Sequence, residues 1–408
     1  MEYLHRDLER KFLKMNKVFK ALLITGARQV GKTTMLRYLS KDSGRTFVSM
    51  DDIRNRELAR RDPGLFFQTF KPPILIDEIQ KAPELFEHIK LICDETEETG
   101  LFWLTGSESR KLLKNAGDSL AGRVCIMKMY SLSLKEKIGI TSIEDMAFTF
   151  EGLAKREKLF PKYDINQIYE HIWRGGMPAL LEFDTEQMNG YYSSYIETYL
   201  MRDAVDDNGI TDTEGFRRVL TACAAFMGNL LNYSDLAAAG GVSVTTAKNW
   251  VKVLQTMGIV FLLDTYSNNE LKRLVKTPKL YFCDTGLAAY LSMWTSKDVL
   301  MNGAASGHYF ENYVVGELLR NIEYGGVKVN MTYYRDTNQK EIDVVIEENG
   351  VIHPIEIKKT SAPERKIVKT FDVLNISGNV VGEGLVICMT DRIFPIDEKN
   401  YMMPATII

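Results

Sequence analysis

Two stretches of this 408-residue chain carry residue types at spacings that suit chemistry on phosphate. In "ALLITGARQVGKTTML", Gly26, Gly31, Lys32 and Thr33 fall in G-x-x-x-x-G-K-T spacing between an apolar run and a helix start. Glycines there let backbone N–H groups turn inward around phosphate oxygens, and the helix N-terminus behind them adds its positive end. The expected nucleotide-binding residues are therefore Gly26, Ala27, Arg28, Gln29, Val30, Gly31, Lys32, Thr33 and Thr34. Lys32 would reach the β- and γ-phosphates, and the Thr33 hydroxyl would complete a Mg2+ shell.

The second stretch, "EIDVVIEENGVIHPIEIKKT", holds an Asn349-Gly350 pair between two apolar-rich runs. That pair predicts a two-residue hairpin turn. Folded so, Asp343 lies opposite Glu356, while Ile342 and Val344 lie opposite Ile357 and Ile355. Like charges directly opposite each other destabilise a strand pair, so the acids need a reason. Lys358 shares the face of Glu356. A solvated ladder pairing Glu341 with Lys358 is one reading, and a bound cation is the other. A four-residue turn would instead place Glu341 opposite Glu356.

Further along the first third, "PPILIDEIQKAPELFEHIK" is a short buried-type strand ending in Asp77 and Glu78. Ligands of parallel α/β sheets sit at the carboxyl ends of strands, which turns both acids toward the phosphate loop. Asp77 suits a magnesium contact and Glu78 the polarising of an attacking water. In "LFWLTGSES", Ser107 or Thr105 is placed to touch the γ-phosphate or that water. Arg123 in "SLAGRV" suits transition-state charge, in its own subunit or a neighbour's, or else a structural ion pair. Asp51 and Asp52 follow the strand "RTFVSM" with no role assigned.

These residues must be positioned by several units. The length predicts two to four domains. No apolar run approaches the roughly 18 residues of a membrane span, and the charged "MEYLHRDLERKFLK" is not a secretory signal. Five scattered cysteines fit reduced thiols and a cytoplasmic setting, and the five histidines show no metal-ligand spacing. A net charge of −3 excludes a globally basic nucleic-acid coat but not a local patch.

Residues 131 to about 215 read as helices broken at "RGGMPALL". "NYSDLAAAGGVSVTTAKNWVKVLQTMGIVFLLD" reads as helix-turn-helix, with Ser243 as N-cap. Val244, Ala247, Val251 and Leu254 would pack inward, leaving Thr245, Lys248, Asn249 and Lys252 outside. "IVFLLDTY" and "KLYFCD" would form a wing whose loop carries Lys272, Arg273 and Lys276. DNA contact and a purely regulatory packing role are both open for this unit. In the last third, "GHYFENYVVGELLRNI" is a helix whose apolar stripe Val315, Leu318 and Ile322 includes Glu311. A carboxylate on that side needs a cation or a partner.

The strings "LLITGARQVGKTTML", "ILIDEIQKAPE", "WLTGSES" and "SLAGRV", in this order, resemble the prokaryotic AAA-type ATPases that carry a C-terminal domain of unknown function related to restriction endonucleases. "RGGMP" and "YYSSYIETYLMRD" strengthen the resemblance. It implies ATP as the nucleotide, which the residues alone do not separate from GTP. It also implies a nuclease pattern of an acid on the helix, an Asp on the second strand and Glu-x-Lys on the third. Those map to Glu311, Asp343, Glu356 and Lys358. Asp343 and Glu356 would then hold Mg2+, and Lys358 would orient the attacking water.

The expected fold class is α/β: an AAA-type P-loop parallel sheet (1–135), a helical linker (136–215), a winged-helix-like unit (216–300) and a restriction-endonuclease-like α/β domain (301–408). The expected function is a Mg2+-dependent ATPase coupled to DNA binding or cleavage. Its rivals are an ATP-switched DNA-binding regulator with an inactive nuclease fold, and an ATPase switch acting on protein partners only. A homo-oligomer is compatible with the sequence but not demanded by it.

Overall fold

The structure is a computed structural model and describes residues 3–107, 110–141, 148–206, 208–266, 277–326, 328–377 and 380–408. After a helix, Leu8–Asn16, five short strands alternate with helices: β1 (Ala21–Thr25), β2 (Thr46–Ser49), β3 (Ile74–Asp77), β4 (Phe102–Thr105) and β5 (Val124–Lys128). They form one parallel sheet in the order β2-β3-β4-β1-β5. β1, "ALLIT", is buried at every position, as a parallel strand covered on both faces must be. Its side chains divide by the period of two. Leu22 and Ile24 join one core cluster and Ala21 and Leu23 another. Because all five strands run the same way, their carboxyl ends line one edge of the sheet.

The helical region follows the expected pattern. The helix Ile165–Arg174 stops at Gly175, whose φ is +73, and a 3₁₀ turn begins at Pro178. A built Cβ on Gly175 would lie 2.3 Å from Asp284 Oδ1, so close approach as well as the turn demands glycine there. The helix Thr185–Tyr195 runs through a π-helical segment, Ile196–Leu200, into the helix Met201–Asp206. Next come the helices Thr213–Ala225, Tyr233–Gly240 and Val244–Thr256, and the antiparallel strands β6 (Val260–Leu263) and β7 (Lys279–Phe282).

Ser243 caps the helix Val244–Thr256 by accepting from Thr246 N at 3.0 Å. Ala247, Val251 and Leu254 are buried, and Thr245, Lys248, Asn249 and Lys252 are exposed. Val244 corrects the expected inward set: it is 49% exposed, because the first helical residue precedes the turn that packs. Lys272, Arg273 and Lys276 lie outside the described residues.

The last unit begins with the helix Ser306–Tyr324. Seven strands follow: β8 (Val329–Arg335), β9 (Glu341–Glu348), β10 (Val351–Lys358), β11 (Val380–Val381), β12 (Gly384–Cys388), β13 (Phe394–Pro395) and β14 (Asn400–Pro404). The mixed sheet runs β13-β14-β12-β10-β9-β8, with β11 beside β10. Val351 pairs with Glu348, and Ile355 with Val344. This is the tighter of the two registers, and Asn349 and Gly350 both have positive φ, 51 and 80, as the mirror-image hairpin turn requires. Val344, Ile355 and Ile357 enter the main core, while Ile342 is buried in a smaller cluster with Phe371 and Leu374. The segment Arg365–Ser377 is a 3₁₀ helix.

The units are not beads on a string. One face of the first sheet, the middle helices and one face of the last sheet share a continuous apolar core that includes Ile24, Tyr192, Phe310 and Ile355. Among the described residues no helix is long and apolar enough to cross a membrane.

Candidate functional site

At the carboxyl edge of the first sheet the chain leaves β1 through the glycine-containing loop and enters the helix Lys32–Leu39. Gly26 has φ +135, and a Cβ there would sit 2.1 Å from Met129 O, so no other residue fits. Gly31, with φ +101, caps the helix and opens its amides toward the loop. Lys32 is buried, and its Nζ donates to Gly26 O at 2.9 Å and Ala27 O at 2.7 Å.

Asp77, at the end of β3, is the hub of the site. Thr33 Oγ1 donates to its Oδ1 at 2.5 Å, and Thr105 Oγ1 from the neighbouring strand donates to the same oxygen at 2.5 Å. Thr105 is fully buried and also accepts from Glu78 N at 3.2 Å, so it orients both acids from below. Glu78 has the left-handed φ of 56 that a glutamate rarely adopts. Its Oε2 accepts from the Gln80 amide and from Ser107 Oγ at 3.4 Å, and lies 4.0 Å from Arg28 Nη1.

The structure thus gathers Lys32, Thr33, Asp77, Glu78, Thr105 and Ser107 at one edge. It does not bring Arg123 there. Arg123 precedes β5, its carbonyl accepting from Ala21 N at the amino edge of the sheet, opposite the loop. Its guanidinium forks onto Asp94 at 2.5 and 2.9 Å, so its own phosphate site is out of reach and the ion-pair reading holds within the chain. Asp52 caps the helix Ile53–Arg61 through Arg54 N, and Asp51 pairs with Lys81.

Three residues at this edge were not legible as site residues. Gln80 holds Glu78 and Ser107 together, donating to Ser107 Oγ at 3.0 Å. Asp203, from the helix Met201–Asp206, accepts a fork from Arg28 at 2.5 and 2.9 Å. The "MRD" string was the only signal for it. Arg6 donates to Val30 O at 2.7 Å and Tyr130 O at 2.8 Å and lies 3.1 Å from Glu136. Beside Gly31 and Thr34, a cleft of about 210 Å³ is walled by Tyr3, Leu4, Leu132 and Pro178.

The carboxylates of the last unit form a second cluster. Asp343 and Glu356 lie just beyond the last pair of the hairpin, Val344 with Ile355, and both are buried. Lys358 Nζ lies 2.6 Å from Glu356 Oε1 and 3.4 Å from Asp343 Oδ2. Asp343 Oδ2 also accepts from Ile357 N at 2.8 Å. Glu311 joins from its helix, accepting from Tyr281 OH at 2.6 Å and lying 3.0 Å from Lys279 Nζ. Glu341 pairs with Lys279 and Arg335 rather than Lys358, so the solvated-ladder reading does not hold.

Burial, and then the charge of Asp343, push the Glu356 carboxyl up to about 7 despite Lys358. Burial and Asp343 also raise Glu311. Burial works against the Lys279 charge, but Glu311, Asp343 and Glu341 outweigh it and hold the ammonium above the usual lysine range. Among the described residues no group of three or more His, Cys, Asp or Glu is arranged to hold a metal ion. Ammonium groups, one of them from β7, stand among Asp343 and Glu356, the two acids expected to hold Mg2+.

Comparisons with known proteins match three stretches of the chain. Residues 18–138 match the family described as AAA domain. Residues 165–298 and 306–408 match two domains of unknown function, DUF8612 and DUF4143. An uncharacterized protein of Mycobacterium tuberculosis is 29% identical over 346 residues, covering 84% of this chain and 71% of the relative. One of Methanocaldococcus jannaschii is 23% identical over 359 residues, covering 84% of this chain and 75% of that one. Among solved structures, a Walker-type ATPase of Pyrococcus abyssi aligns over 71% of this chain and 96% of its own, with 15% identity and a TM-score of 0.43. With its parallel sheet, phosphate-loop geometry and AAA match, the first third of the chain is an AAA-type P-loop domain, and residues 306–408 form a domain of unknown function.

Proposed function

We propose that this protein binds MgATP at the edge formed by β1, β3 and β4 and hydrolyses it. The observation that carries the reading is the convergence of Thr33 and Thr105 on Asp77, with Glu78 alongside, beside a glycine loop that admits only glycine at its turns. Hydroxyl and carboxylate oxygens are the donors Mg2+ prefers, so Thr33 and Asp77 fit a Mg2+ that would also take phosphate oxygens. The ion would screen the phosphate charge. Lys32 would swing from the loop carbonyls to the β- and γ-phosphates, and the loop amides would orient the chain of phosphates. Glu78, held by Gln80 and Ser107, would accept a hydrogen bond from the attacking water and point it at the γ-phosphate. The adenine base would lie in the cleft between Tyr3, Leu4, Leu132 and Pro178.

Calorimetric titration with MgATP tests the binding half. Wild type is expected to bind one nucleotide per chain, and Lys32→Ala to weaken binding roughly a hundredfold or more through loss of charge-assisted bonds. Equal affinity in the two proteins would sink the reading.

A nucleic-acid partner is the second element of the proposal, and the exposed row Thr245, Lys248, Asn249 and Lys252 supports it. The helix Val244–Thr256 would lie against a duplex as the second helix of a helix-turn-helix, its lysines on phosphates. Fluorescence anisotropy with duplex DNA at low salt is the check. Binding should weaken in Lys248→Glu/Lys252→Glu and fall steeply with salt. No binding at low salt would remove DNA and favour a protein partner.

A further inference from the structure

The carboxylate cluster of the C-terminal sheet contains a cation that does not belong to its own domain. Lys279 lies on β7, outside the matched C-terminal region, and only 3% of it is exposed. It reaches the cluster because the chain after β6 is stitched to the edge of the last sheet. Tyr333 N donates to Asp264 O at 2.9 Å, and Thr265 bridges Tyr333. The ammonium sits 3.0 Å from Glu311 Oε1, 2.5 Å from Glu341 Oε1 and 3.8 Å from Asp343 Oδ1. Tyr281, two residues on and on the same face of β7, donates to the same oxygen of Glu311.

Buried carboxylates this close need a positive charge among them, because an unpaired buried ion is strongly disfavoured. A divalent ion and the Lys279 ammonium would draw on the same oxygens of Glu311, Glu341 and Asp343. A Mg2+ or Mn2+ ion also needs oxygens within about 2.0–2.2 Å, a closure that the ammonium keeps open. One acceptor remains unspent: Glu356 is 8% exposed, and its Oε2 is buried with no hydrogen-bond partner.

We propose that Lys279, alongside Lys358 on the far side of Asp343, is a resident cation of this cluster, occupying the place of a divalent metal, and that the cluster binds Mg2+ or Mn2+ only when the Lys279 ammonium is withdrawn. With Lys279 seated, the C-terminal domain is not a metal-dependent nuclease. Because the lysine comes from β7 and the acids from the following domain, the ion cluster is also a lock between two units of the chain.

Mn2+ binding to full-length, nucleotide-free protein tests this, read by electron paramagnetic resonance alongside thermal unfolding. Four proteins are compared: wild type, Asp343→Asn, Lys279→Met and the Lys279→Met/Asp343→Asn double variant. Lys279→Met should lose several degrees of Tm without metal, regain them with Mn2+, and bind one Mn2+ that the double variant does not bind. Wild type and Asp343→Asn should bind Mn2+ identically, because any ion at the P-loop is common to both. The proposal is overturned if wild type holds an Mn2+ that Asp343→Asn abolishes, since metal and lysine would then coexist. It is equally overturned if folded Lys279→Met takes up no Asp343-dependent Mn2+. Should Lys279→Met not fold, Lys279→Gln, which removes the charge but keeps a hydrogen-bond donor among the acids, carries the same titration.

Discussion

Gln80 and Glu78 are two residues apart, and their side chains meet beside the end of β3. The amide of Gln80 donates to both Glu78 and Ser107, so its expected role is to position the carboxylate. Gln80→Leu should therefore lower kcat roughly ten- to a hundredfold while leaving KM for MgATP nearly unchanged. A change confined to KM in steady-state kinetics would contradict that assignment. Lys32, Thr33, Asp77 and Glu78 were legible because local spacing alone places them on one loop and one strand end. Gln80 escaped because the turn that folds it back onto Glu78 depends on the left-handed backbone at Glu78. Arg6 and Asp203 were not legible, because a side-chain bond across 124 or 175 residues leaves no local pattern. Lys279 escaped for the same reason. It reads as an ordinary first residue of a strand until β7 is seen against Glu311.

Elements were legible where one residue type forces one backbone. The hairpin β9–β10 is the clearest case. Asn349-Gly350 turns in two residues, which fixes the register from Val351–Glu348 to Ile355–Val344 and brings Asp343 and Glu356 within reach of the same Lys358. Gly350 has φ +80, so Gly350→Ala should cost about 1 kcal/mol through left-handed strain, measured by urea unfolding. No loss would mean the turn tolerates a side chain and that the register is held elsewhere. The 3₁₀ segment Arg365–Ser377 shows the opposite limit. Its sequence offers apolar positions at helical spacing, but those positions do not distinguish the tighter helix from an α-helix. Val244 marks a smaller limit, since a periodic stripe does not say which turn of the helix first meets the core.

On the scale of the whole molecule, the helix Ser306–Tyr324 ties the units together. It carries Glu311 near one end. Near the other, Glu317 accepts from Leu134 N at 3.3 Å, Arg320 donates to Ser131 O at 3.1 Å, and Tyr324 OH accepts from Tyr130 N at 2.8 Å. The middle domain closes on the loop too, with a built Cβ on Gly258 only 3.1 Å from Ala27 N. None of this packing was readable, because each contact joins segments far apart in sequence.

His171 lies in the polar junction between these units with Lys137 and Glu317. Burial, and then the Lys137 ammonium, lower its imidazole from 6.5 to about 4. Between those values the unfolded chain takes up a proton that the folded chain refuses. The stability from neutral His171 is thus complete above pH 6.5 and lost as pH falls through about 4, by roughly 3 kcal/mol. Unfolding free energy measured against pH should accordingly fall less steeply across this window in His171→Gln than in wild type. Parallel curves would contradict the buried neutral imidazole.

The central claim is that Glu78 acts on water at a bound MgATP, and phosphate release from wild type and Glu78→Gln measures this most directly. The carboxamide keeps the size of the side chain but cannot accept the proton. Glu78→Gln is expected to bind MgATP as wild type does and to release phosphate about a hundredfold more slowly or less. Release at the wild-type rate by Glu78→Gln, or no release by wild type above the Lys32→Ala background, would contradict the account.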